Sequence, residues 1–275
     1  MDARGSVSSQ FWIQLLLFVL AMSSERAAAA RTTTTDQPAK AGSDHAGLAV
    51  PAGTILPVRL NRGFSSKTAR AGQAISGRVM QDVPLPGGAK IPAGAKVVGA
   101  IVSVSSVRSG KQSDGIISFH FNEVRHNRQT AKITASLRAI GSLLEVAEAQ
   151  LPETPAGFGT PYNWVTTRLI GGDVKYGVGG PVTDSGSATV GEGTREGVLV
   201  HVRAQSTGGC PGESEGSDRL QALWLFSAGA CGVYGMPRLR IVQAGRTVPV
   251  GETTLSYQDG EVNLRAGSGL LLRVE

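Results

Sequence analysis

Apolar and polar positions alternate in short runs along most of the chain after residue 53. In the run Ile116–Val124, the residues Ile117, Phe119, Phe121 and Glu123 share one face. In Ala131–Leu137 the odd-numbered residues do the same. A period of two is the pattern of a strand with one face covered. It predicts strands over Thr54–Leu60, Ala74–Gln81, Lys96–Val104, Gly115–Val124 and Thr130–Leu137. Between them lie Pro86-Gly87-Gly88, Ser109-Gly110, Asp114-Gly115 and His126-Asn127, all turn chemistry. Two turns share one design, Val50-Pro51-Ala52-Gly53-Thr54 and Ile91-Pro92-Ala93-Gly94-Ala95, and each leads into an apolar run. Pro presets φ near −65° and Gly accepts φ > 0, so the pair makes a tight turn at little steric cost. Short strands at this spacing predict a small barrel over residues 49–138.

The pattern changes after Leu137. Ile140, Leu143, Leu144, Ala147 and Leu151 recur at helical spacing, which predicts one short helix over 139–151. Residues 152–194 are rich in Gly and Pro. The run Gly171–Gly180 reads as turns between strands, because it lacks the Gly-Lys-Ser/Thr ending of a phosphate loop. Alternation returns in 197–204, 220–226, 238–242, 253–257, 261–265 and 269–274. The expected fold is therefore mainly β: a small β-barrel, one short helix, and a second, β-sandwich-like domain over 152–275.

The quoted barrel motifs carry a resemblance. Val50–Leu60, then Ser65-Ser66-Lys67, Gly72–Val79 and Ile91–Gly99 resemble the β-barrel domain of TrbI-like conjugation and type IV secretion channel proteins, over about residues 49–138. The same Pro-Ala-Gly turn is similar to that of SAF-like periplasmic modules of pilus and flagellar assembly. The resemblance implies a β-barrel module of the bacterial envelope. The chain departs from the TrbI-like pattern at Ala93, where that family has Gln, and lacks a pair of apolar helices after Leu137.

The N-terminus supports the same compartment. Arg4, the apolar run 11–22 and the small residues Ala27–Ala30 read as an export signal over 1–30; a retained anchor is the other reading of that stretch. Residues 31–48 are polar and aperiodic and read as a linker. No later stretch is apolar for long enough to cross a membrane as a helix. The two cysteines, Cys210 and Cys231, are expected to pair as a disulfide in an oxidising compartment, the periplasm or cell surface of a bacterium.

Charge adds the one hint of a partner. The formal net charge is +6. Residues 31–145 carry 15 Lys/Arg against 6 Asp/Glu, and residues 146–275 carry 10 against 13. A basic first module is expected to face an anionic partner: an envelope protein, an acidic glycan or lipid head groups. The candidate anion-facing residues are Arg59, Arg62, Lys67, Arg70, Arg78, Lys90 and Lys96. Aromatic residues make up only 5% of the chain, which argues against stacking on nucleic-acid bases.

No catalytic, metal-binding or cofactor-binding residues emerge. His45, His120, His126 and His201 stand alone, and no H-E-x-x-H, Cys/His cluster or G-x-S-x-G elbow occurs. The acidic run Glu213–Asp218 lacks the spacing of a calcium loop. The expected function is a non-enzymatic binding or scaffolding role, within a secretion or surface assembly. The alternative is an envelope hydrolase acting on glycan or peptide, with Asp173 and Asp184 as the carboxylates to watch.

Overall fold

The structure, a computed structural model, describes residues 49–107, 113–153, 165–203, 210–211, 219–247 and 249–275. The expected export signal, the linker 31–48 and the acidic run 213–218 lie outside the described residues. The molecule is mainly β. Its strands begin with β1 (Ile55–Leu60), β2 (Phe64–Ser65), β3 (Ala74–Val79), β4 (Val83–Pro84), β5 (Lys90–Ile91), β6 (Lys96–Ser105), β7 (Gly115–His126) and β8 (Gln129–Gly141). The helix α1 (Leu143–Glu148) follows. Then come β9 (Thr166–Arg168), β10 (Val174–Tyr176), β11 (Pro181–Thr183), β12 (Thr189–Gly193), β13 (Val198–His201) and β14 (Leu220–Ala222). The chain ends with β15 (Gly232–Tyr234), β16 (Leu239–Ile241), β17 (Glu252–Tyr257), β18 (Asn263–Leu264) and β19 (Gly269–Val274).

Six strands close a barrel in the order β1–β3–β6–β7–β8–β19 and back to β1. All six contacts are antiparallel. The C-terminal strand β19 fills the place between β1 and β8, with Leu56 opposite Leu272 and Leu270 opposite Ile140. This corrects the expected partition, in which the barrel was complete within 49–138 and the last strands belonged to a separate unit. The boundary at 138 falls inside β8, and the barrel lacks a wall without residues 269–274. Where β7 and β8 part, β17 pairs with the start of β7, while β15 runs parallel to the end of β8. The ribbon β2–β18 places Phe64 and Leu264 in the barrel core.

The apolar runs of β1 and β19 follow from burial on both faces. Leu56, Val58 and Leu60 point into the barrel core with Leu270, Leu272 and Val274. Ile55 and Leu271 point outward, with Ala139, into a second core under Val182, Val198, Val200 and Phe226. The six-stranded antiparallel sheet β9–β14 thus covers one flank of the barrel wall. A fully buried Leu or Ile contributes about 1.5–3 kcal/mol, so doubly covered strands are the most stabilising part of the wall.

Two buried glutamines tie the layers. Gln81 Nε2 donates to the Val198 carbonyl at 2.9 Å, and its Oε1 accepts from the Trp224 amide at 2.8 Å. Gln221 Oε1 accepts from the Ile55 amide at 3.2 Å. Trp224 is held at φ 55°, a region bulky residues seldom occupy. The Cys210–Cys231 disulfide is present, and Cys210 Sγ lies 3.4 Å from the Arg138 carbonyl.

The helix is shorter than expected. β8 runs on to Gly141 because both β19 and β15 pair with its end, so Ile140 is a barrel residue. Ser142 caps α1 by accepting from the Glu145 amide at 3.2 Å. The buried face is Val146 and Ala149, while Leu144 and Leu151, expected on that face, are 71% and 64% exposed.

Candidate functional site: a cationic row across the barrel

The barrel register brings cations together. Arg59 on β1 stands opposite Arg78 on β3. Arg78 stands opposite Lys96 on β6, and Lys96 opposite Arg125 on β7. All four residues are exposed. Neighbouring strands are about 4.8 Å apart, so the row covers roughly 14 Å across three strand steps. The placement follows from period two: Val58, Leu60, Val79, Val97 and Val124, each adjacent in sequence to a member of the row, point into the barrel core.

Electrostatics divides the row. Arg125 is neutralised by Glu123 through a two-pronged contact, Nε to Oε1 at 2.6 Å and Nη2 to Oε2 at 2.9 Å. Lys132 Nζ lies 3.3 Å from the same carboxylate. The Arg125 hydrogen bonds, helped by Lys132, hold the Glu123 carboxyl down to about 2. Arg59, Arg78 and Lys96 have no ion pair among the described residues. Like charges directly opposite across a sheet are destabilising. Lysines often guard free sheet edges, but β1, β3 and β6 are interior barrel strands with no edge to guard.

The other candidates lie elsewhere. Lys90 is spent on Asp82 at 2.5 Å, and this contact lowers the Asp82 carboxyl with help from the Ala93 amide. Arg62 lines a cavity of about 340 Å³ with Gln73 and Ser76 at one end of the barrel. Lys67 and Arg70 are exposed between β2 and β3. Arg125 was not among the candidates. Its signal was the two-residue turn that pairs His126 with Gln129, with Asn127 at φ 52°, which fixes the β7–β8 register.

A larger cavity of about 530 Å³ opens at the same end of the barrel, lined by Leu143, Leu144, Met236, Tyr257, Asn263 and Arg265 among others. It adjoins the row: a Cβ on Gly267 would lie 2.7 Å from Leu143 Cδ1 and 3.6 Å from Arg59 Nη2.

Asp173 and Asp184 also meet, on either side of Arg203. Arg203 Nη2 is 2.7 Å from Asp184 Oδ2 and 3.9 Å from Asp173 Oδ1. Burial pushes the Asp173 carboxyl up, against the Ala228 amide and Arg203, which lower it. Asp184 Oδ1 accepts from the amides of Gly186 and Ala188, both at 2.9 Å. With these oxygens held by amides and a guanidinium, the arrangement serves as a clasp between the loop after β11 and the segment after β13. Among the described residues, no three His, Cys, Asp or Glu side chains gather as a metal site.

No family model matches the sequence, and neither a curated protein nor a solved structure is significantly similar to it. The TrbI-like resemblance therefore rests on the barrel residues quoted for it.

Proposed function

We propose that this chain is an exported, non-enzymatic protein of the bacterial cell envelope, with a binding or scaffolding role in a secretion or surface assembly. The observation that carries this reading is the row Arg59–Arg78–Lys96–Arg125, a cationic surface held on a rigid barrel wall. Three of its charges have no internal partner among the described residues, so their fields are directed to solvent and to an anionic partner. The disulfide fits an oxidising compartment. Among the described residues no helix is long and apolar enough to cross a membrane, a finding that leaves membrane-spanning strands open.

The test is cross-linked capture from fractionated bacterial cells expressing the full chain, against a variant carrying Arg78→Glu and Lys96→Glu. Recovery of an envelope component by the parent chain and its loss in the variant supports the reading. Equal recovery by both, or a chain confined to the cytoplasm, counts against it. A second reading, an envelope hydrolase acting on glycan or peptide, rests on the meeting of Asp173 and Asp184 at Arg203. Release of soluble fragments from cell-wall material by the parent chain but not by Asp184→Asn would favour it.

A further inference from the structure

We infer that the cationic row is a track for a linear acidic glycan, a polymer with one carboxylate or phosphate per sugar, laid across the strands and leading at Arg59 toward the end cavity. This rests on the reading of the barrel as an anion-binding envelope module and narrows its partner.

Three features select the glycan among polyanions. The row runs around the barrel, at right angles to the strands, so its cations follow a convex arc. A flexible chain can follow that arc, whereas a flat bilayer meets it only tangentially. Among the described residues, the large exposed apolar side chains on the barrel strands reduce to Val102, six positions along β6 from Lys96, so the row offers little for insertion between lipids. The barrel's rings Phe64, Phe119 and Phe121 pack into the core and offer no platform for nucleic-acid bases.

Polar groups beside the row suit sugar hydroxyls. In the adjacent outward register Asn61 Nδ2 donates to Ser76 Oγ at 3.2 Å, leaving the second amide hydrogen and the carbonyl to solvent. At the Arg59 end the cavity adds Asn263, Tyr257 and the exposed Arg265, a further cation. Charge repeats along the row at the strand spacing of about 4.8 Å, a step suited to a polymer charged at every residue. Arg supplies paired donors to a carboxylate or phosphate, and Arg59 and Arg78 fill two of the three unpaired positions.

The experiment measures binding of the full chain to galacturonate oligomers of increasing length. Neutral dextran, single-stranded oligothymidine of equal charge and phosphatidylglycerol-containing vesicles serve as comparison probes. Expected are affinity that rises with oligomer length until the row is covered, and a log–log salt slope of about −2, taking ~0.7 per unpaired cation as for single strands. Arg78→Gln and Lys96→Gln should each weaken binding about tenfold, the order of one charge-assisted hydrogen bond. Arg70→Gln, an exposed cation off the row, should change it little. If oligothymidine or vesicles bind more tightly than galacturonate and the row variants abolish that binding, the glycan assignment is overturned while the anion-binding module stands. If none of the anionic probes binds, or if Arg70→Gln matters as much as Arg78→Gln, both are overturned.

Discussion

Arg78 of β3 faces Lys96 of β6 across one antiparallel step, two exposed cations with no carboxylate paired to either among the described residues. Opposed like charges cost a sheet roughly 0.2–1 kcal/mol. Arg78→Gln should therefore raise the melting temperature at low salt, and the gain should shrink as salt screens the repulsion. Thermal denaturation at low and high ionic strength checks this. A fall in stability at both would show that Arg78 makes a net stabilising contact.

Gln81 holds Trp224 in its left-handed conformation and joins the barrel to the covering sheet. Replacing Gln81 by Leu leaves the buried Trp224 amide without its acceptor and takes one of two donors from the Val198 carbonyl, which still accepts from the Leu223 amide at 3.2 Å. A loss of about 1–3 kcal/mol is expected from the one unsatisfied backbone group. Urea unfolding of the variant reads it directly, and a change under 1 kcal/mol would mean that the layers hold without this bridge.

Glu123 sets an acid limit on the barrel. Its folded value of about 2 lies below the ordinary 4.5, so its contribution is fully present above 4.5 and is lost as pH falls toward 2. Glu123→Gln should flatten the stability profile across that window. Denaturant midpoints taken at several pH values would show the parent falling and the variant falling less; parallel curves would refute the assignment.

Asp173 acts in the opposite sense. Burial raises its value above 3.8, so it favours folding at low pH and disfavours it as pH rises through the raised value. Arg203 opposes that shift. Arg203→Met should destabilise the chain by about 1–3 kcal/mol near neutrality, with partial recovery on acidification. Adding Asp173→Asn should remove the pH dependence that the single change introduces. A loss in Arg203→Met that is the same at pH 4 and pH 7 would exclude Asp173 as its source.

Much of the barrel was legible because period two needs only local sequence. β1, β3, β6, β7 and β8 lie within a few residues of the runs that alternation marks. The apolar stretch Gly269–Val274 also announced a strand, yet its partners β1 and β8 lie far away in sequence. Side-chain alternation fixes a strand's faces but not its neighbours, and this is why the barrel was closed too early. The helical spacing through Ile140 and Leu151 misled for a related reason: a second partner for β8 outweighed the local preference. The candidate cations were visible one by one. Only register shows that three of them share a line with Arg125, and that Lys90 belongs to Asp82.

Because β19 lies between β1 and β8, the wall begun by the first described strand is finished by the last described one. A chain that has left the ribosome only as far as residue 268 has a barrel still open along one seam, with Leu56 and Ile140 lacking their partners Leu272 and Leu270. Closure must wait for β19, and it joins segments far apart in sequence, a topology that folds slowly. A chain stopped before Gly269 is thus an unsealed sheet and not a shorter barrel.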